Sequence, residues 1–142
     1  VKINYLYLKI FSVNINRMTE NKKKEISNYL KTFQQIPLET RIQECVKIRR
    51  KYPNRVPIIV DKGSKETPII AKNKYIVPTD ITIGEFMHII RKQISLKSSD
   101  GMHFFINGNI PIVGETVGQV YEKEKNKDGY LYVEYCIENT FG

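Results

Sequence analysis

The 142 residues contain no tryptophan and only two cysteines and two histidines. His88 and His103 fall in different segments, and neither has a second histidine or a cysteine at metal-ligand spacing, so no metal is expected. Cys45 and Cys136 lie far apart in a chain without an export signal, a pattern that reads as two reduced core thiols rather than a bridge. No Ser-His-Asp or Cys-His set has support from spacing, and neither a phosphate-cradling glycine loop nor a dinucleotide fingerprint occurs. An enzyme reading has nothing to rest on, and no cofactor is expected. Long apolar runs are missing too. Nothing approaches the ~20 uncharged apolar residues of a membrane span, and the apolar start from Val1 to Ile15 is interrupted by Lys2 and Lys9 and lacks a small-residue cleavage site. The expected location is cytoplasmic, with any membrane contact peripheral or covalent.

What is present is a composition of 41% hydrophobic and 27% charged residues, which suits one compact domain with a real core. The net charge of +8 is uneven. Residues 1–55 carry 13 Lys/Arg against 4 Asp/Glu, net +9, whereas residues 56–142 carry 10 against 11, net −1. Such potential attracts any polyanion. The aromatics of the basic half sit at helix-core spacing rather than between the basic residues as stacking platforms, so no nucleic acid is expected.

Along the chain, Val1 to Asn16 alternates loosely like a strand, and Met18 opens a lysine-rich run and could serve as the biological start. From Glu25 the period becomes helical, with Ile26, Tyr29, Leu30 and Phe33 on one face, until Pro37. A second helix follows, with Leu38, Ile42, Cys45 and Ile48 inward and Arg41, Glu44, Lys47 and Arg50 largely outward, ending before Pro53-Asn54. Val56–Asp61 and Lys74–Pro78 read as paired strands, with Pro57 and Pro78 arguing for edge or strand-end positions. Thr82 and Glu85 fit a capping box ahead of a helix carrying Ile83, Phe86, Ile90 and Ile94. Then come a short strand at His103–Ile106, the turn pair Asn107-Gly108, a brief helix at Val117–Lys123, the turn pair Asp128-Gly129, and a strand at Tyr130–Cys136. This ββαβ(α)β order defines an α+β protein, a ubiquitin-like β-grasp with two additional N-terminal helices.

Several segments, in order, resemble the GABARAP and light-chain-3 family of autophagy modifiers: Tyr52 to Val60 (YPNRVPIIV), Lys74 to Pro78 (KYIVP), Thr82 to Phe86 (TIGEF), Ile90 to Lys92, Asp128 to Val133 (DGYLYV) and Glu138 to Gly142 (ENTFG). The match runs from about Ile36 to the last residue and leaves residues 1–24 as an N-terminal extension before a ubiquitin-like domain at 25–142 with a conjugation tail at 137–142.

The resemblance implies that Gly142 is joined to phosphatidylethanolamine, which turns a soluble protein into a lipid-anchored one. A residue without Cβ suits the narrow channel of an activating enzyme. It also implies activating and conjugating enzymes, a delipidating cysteine protease, and association with autophagic or related membranes once lipidated. A two-pocket surface for short acidic aromatic-x-x-aliphatic motifs of cargo receptors follows as well. Its first pocket would comprise Glu44, Ile48, Pro57, Ile59, Lys74 and Tyr130. The second would comprise Tyr75, Val77, Pro78, Ile81, Phe86 and Ile89. Arg55, Lys72, Lys74 and Arg91 would meet the acids flanking the motif. A strand edge at Lys74–Val77 is the candidate backbone partner for an extended peptide. The motif-like Tyr5-Leu6-Tyr7-Leu8 could occupy that groove itself. The competing reading is a non-conjugated β-grasp interaction domain with a basic N-terminal face.

Overall fold

The computed structural model describes residues 19–138 apart from 65, 95 and 98, and the side chains of 25–27 are also outside the description. Among the described residues nine elements run in chain order: helices α1 (Glu20–Ser27), α2 (Tyr29–Gln34) and α3 (Leu38–Lys51), strands β1 (Arg55–Lys62) and β2 (Lys74–Pro78), helix α4 (Ile83–Gln93), strand β3 (Gly101–Phe105), helix α5 (Val117–Glu124) and strand β4 (Leu131–Glu138). Helix α1 begins at Glu20, inside the stretch assigned to the extension.

The single helix expected from Glu25 to Pro37 is two pieces. Asn28, at φ −102° and ψ 10°, separates α1 from α2, in keeping with the way asparagine competes with helix geometry through its own side chain. Helix α3 starts directly after Pro37 and gathers Arg49, Arg50 and Lys51 in its last turn, where cations complement the negative end of the helix dipole. Of its expected inward face only Cys45 is fully buried; Ile42 and Ile48 are half-buried, and Leu38, in the first turn, is 36% exposed.

The sheet has the order β2-β1-β4-β3, with β1 antiparallel to β2, parallel to β4, and β4 antiparallel to β3. One face carries Val56, Ile58 and Val60 of β1 and Leu131, Val133 and Tyr135 of β4 into the main core, against Phe86 and Ile90 of α4. Burial of each such side chain contributes roughly 1.5–3 kcal/mol. On the opposite face Ile59 joins Tyr130, Phe33 and Cys45 in a second, smaller core. Strand β1 is therefore an interior strand. The N–H and C=O of Val60 both point toward Asn73, ahead of β2. By strand alternation Pro57 turns its ring nitrogen to the β4 side, one residue before the first β4 partner pair, Ile58 with Leu131. Its missing N–H thus removes no ladder bond.

The capping box at α4 forms as expected, with Glu85 N–H donating to Thr82 Oγ1 at 3.0 Å and Thr82 N–H to Glu85 Oε1 at 3.2 Å. Thr116 and Gln119 make the same box at α5. Asn107 and Gly108 both have positive φ, 51° and 79°, as a two-residue primed turn requires. Gly129 also has positive φ, and a Cβ there would meet Cys45 Cβ at 2.9 Å, so the backbone passes against α3 where only glycine fits.

Candidate functional site: the open edge of strand β2

Among the described residues strand β2 pairs on one side only, with β1. Because Val60 and Ile58 turn their backbone polar groups toward β2, Tyr75 and Val77 turn theirs toward β1, and the N–H and C=O of Lys74 and Ile76 face outward. These are the groups an added strand would pair with. Ile76, half-buried and opposite Pro57 in the register, lies within the expected edge Lys74–Val77 but was not placed in either expected pocket; the alternation of β2 already put it on the face of Lys74.

The expected first pocket assembles on the outer face of the sheet. Lys74 Nζ pairs with the Glu44 carboxylate of α3 and lies 5.3 Å from the centre of the Tyr130 ring, and burial lowers its pKa. Ile48 and Glu44 are half-buried on α3, and Pro57 and Ile59 are buried in β1. The floor is already covered. Ile59 is 1% exposed and Tyr130 fully buried, because Phe33 of α2 packs edge-on against Tyr130 with ring centres 5.1 Å apart. Lys74 Nζ also sits 5.8 Å from the centre of the Phe33 ring.

The expected second pocket lies at the other face of β2, toward α4. Tyr75, Val77, Ile81, Phe86 and Ile89 are all buried in the main core, with Tyr75 and Phe86 in edge contact at 5.9 Å, and Pro78 alone is half-exposed. The Tyr75 hydroxyl is buried with no hydrogen-bond partner among the described residues. Burial also pushes its pKa up.

Of the basic residues, Lys72 lies 5.7 Å from the centre of the Tyr75 ring, and burial pushes its pKa down to about 8. Arg55 stands over the Tyr52 ring at 5.5 Å. Arg91 donates to the Lys97 carbonyl at 2.7 Å, beyond the end of α4. Gly142 and Tyr5–Leu8 lie outside the described residues.

Behind the edge, Arg41 turns inward rather than outward. Its Nη1 donates to Asp128 Oδ2 at 2.8 Å and its Nε to the Ile36 carbonyl at 3.0 Å. Asp128 is buried and also accepts from the Tyr130 N–H at 2.8 Å and from the Tyr132 hydroxyl. This network ties α3 to the start of β4. Cys45 and Cys136 are free thiols, Cys45 buried and pushed up to about 12 by that burial. Among the described residues no group of His, Cys, Asp and Glu could hold a metal ion, and no helix is long and apolar enough to cross a membrane.

A mixed sheet with a parallel central pair, a helix across one face and an added helical layer on the other defines a ubiquitin-like protein. The model of the family described as "Autophagy protein Atg8 ubiquitin like" matches residues 40–142. The chain is 47% identical over 105 residues to Autophagy-related protein 8e of Arabidopsis thaliana, covering 73% of this chain and 86% of that relative. It is 45% identical to Autophagy-related protein 8b of the same plant, over 75% and 88%. Among solved structures, Trypanosoma brucei ATG8 superimposes with a TM-score of 0.71 at 30% identity, over 77% of this chain and 95% of that one. Plasmodium falciparum Atg8, solved with a peptide of Plasmodium falciparum Atg3, gives 0.67 at 34%, over 72% and 92%. The chain belongs to the Atg8 family of ubiquitin-like autophagy proteins.

Proposed function

We propose that the chain is a conjugated modifier. It is joined through Gly142 to phosphatidylethanolamine on autophagic or related membranes, and it recruits cargo receptors and machinery through peptides that add to β2. It acts as a substrate of activating, conjugating and delipidating enzymes rather than as a catalyst. The observation that carries the peptide reading is the open edge of β2, with the outward backbone groups of Lys74 and Ile76 set between two apolar clusters. An extended acidic peptide pairs with that edge and sends alternate side chains to either side. Its aromatic residue goes toward Ile48, Pro57, Ile59 and Tyr130, and its aliphatic residue toward Tyr75, Val77, Pro78, Ile81, Phe86 and Ile89. Lys72, Lys74, Arg55 and Arg91 supply the positive surroundings, which favour encounter more than affinity. The Plasmodium structure, in which an Atg8 holds an Atg3 peptide, supports a conjugating-enzyme partner of this kind.

Calorimetric titration with an acidic aromatic-x-x-aliphatic peptide tests the surface. Binding should vanish with a double-alanine peptide and weaken by ~1 kcal/mol or more in Ile48→Ala and Tyr75→Ala; unchanged affinity in both variants removes the proposed pockets. In a reconstituted cascade Gly142→Ala, which places a Cβ beside the carboxylate to be activated, should block lipidation and leave peptide affinity as it was. Efficient lipidation of that variant refutes the conjugation reading.

A further inference from the structure

On the far side of α3 from the β2 edge lies a groove of about 500 Å3 between that helix, α5 and the turn at Asp128-Gly129. Its accessible apolar lining is half-buried Ile42, exposed Pro53 and Val46, which is 42% exposed. Its rim is basic. Arg49 and Arg50 come from the end of α3, and Lys125 and Lys127 from the loop after α5, so two stretches remote in sequence bring four cations to one opening. Two of them lie over the buried Tyr121 ring, Arg49 at 5.2 Å and Lys125 at 5.4 Å from its centre. The carboxylates nearby leave this balance positive. Asp128 is buried and bound to Arg41, and Glu122 pairs with Lys125 at 2.9 Å.

We propose that this groove is a second docking surface, for an acidic amphipathic helix of a partner protein. A concave apolar floor takes a convex row of aliphatic side chains, and the ring of cations selects Asp and Glu on the flanks of that row. Among the described residues no strand edge borders the groove, so an extended peptide gains no backbone ladder there. A flat anionic membrane reaches the rim but not the floor. What separates the two occupants is the apolar surface in the groove: Val46, 42% exposed, lines it together with half-buried Ile42 and exposed Pro53, surface that a helix buries and a charged membrane surface does not.

The test is selection from a displayed library of helices about four turns long, with leucine fixed at i, i+3, i+4 and i+7 and the other positions drawn from Glu, Lys, Gln and Ala. Glu-rich sequences should emerge. Their binding should fall at least about tenfold in Val46→Asp and again in the double variant Arg50→Glu, Lys127→Glu, at an unchanged urea midpoint, since all three side chains are exposed. Failure to enrich any helix, enrichment of Lys-rich helices, or Glu-rich binding that survives Val46→Asp overturns the proposal. So does binding to phosphatidylserine vesicles that depends on the four cations while helix binding does not, because it identifies a bare polyanion patch. The readout stands whether or not the β2 edge binds peptides. Competition from a β2-directed peptide would place the selected helices on the wrong face and also overturn the assignment.

Discussion

Burial lowers the pKa of Lys72 from 10.5 to about 8, which gives one side chain a titration close to physiological pH. Below that value the amine is charged in folded and unfolded chains alike and the fold bears the full desolvation cost. Between about 8 and 10.5 the folded chain has lost the proton and the unfolded chain still holds it, so stability rises with pH across that window. Binding runs the other way. An acid flanking a docked peptide is attracted only to the protonated amine, so affinity for an acid-flanked peptide should weaken by a few-fold between about pH 7 and 9, the size of a surface ion pair. Titration calorimetry at several pH values reads this, and Lys72→Arg, which stays charged, should flatten the profile; an identical slope in that variant assigns the titration elsewhere. At this scale the sequence was legible where a residue's neighbours are local, as with Thr82 and Glu85. It was not where the partner is distant: Arg41 reads as solvated until Asp128, 87 positions away, is found against it.

Among the elements, α2 is the one whose role the periodicity only half disclosed. Tyr29 and Phe33 share a face as spaced, and their rings stack at 5.8 Å, but nothing in a helical pattern says that Phe33 lands on Tyr130, where an incoming aromatic side chain is proposed to go. Helical spacing is equally silent on whether Phe86 and Ile89 are core or pocket, since both uses demand the same inward face. The strands were more readable: in the sequence Leu131, Val133 and Tyr135 alternate with Tyr130, Tyr132 and Glu134, and the two sets fall on the two sides of β4. Phe33→Ala should cost about 3 kcal/mol or more in urea unfolding, as for other buried aromatics. It should also strengthen the binding of an aromatic-x-x-aliphatic peptide, because the ring no longer has to be displaced. A parallel fall in affinity would mean that Phe33 builds the pocket instead of filling it.

For the molecule as a whole, the ββαβ(α)β order was plain from the positions of turns and β-branched runs, and the parallel alignment of β1 with β4 follows from that order once the helix crosses between them. How the N-terminal layer is fastened was only partly visible, because beside the apolar contacts of Phe33 and Cys45 it uses a buried ion pair between distant residues. Arg41 and Asp128 join α3 to β4, with the Ile36 carbonyl and the Tyr132 hydroxyl completing the network. Removal of one partner leaves a buried charge without its counterpart, at a cost of roughly 3–5 kcal/mol. Asp128→Ala should therefore lower the unfolding free energy by about that amount and expose the Tyr130 side of the sheet to solvent, detectable as faster amide exchange in α3 than in α4. A loss under about 1 kcal/mol would show that apolar packing alone holds the layer.

The place of β4 in the sheet has a mechanical consequence. The strand lies between β1 and β3 and ends at Glu138, four residues before Gly142. Tension applied through that end runs along the axis of a strand bonded on both sides. It therefore loads the two ladders in shear, so that their hydrogen bonds must yield together rather than peel open one at a time. With the proposed lipid at Gly142 and the proposed cargo peptide on β2, such a load would pass from β4 through β1 to β2, so the sheet itself would carry the pull between vesicle and cargo.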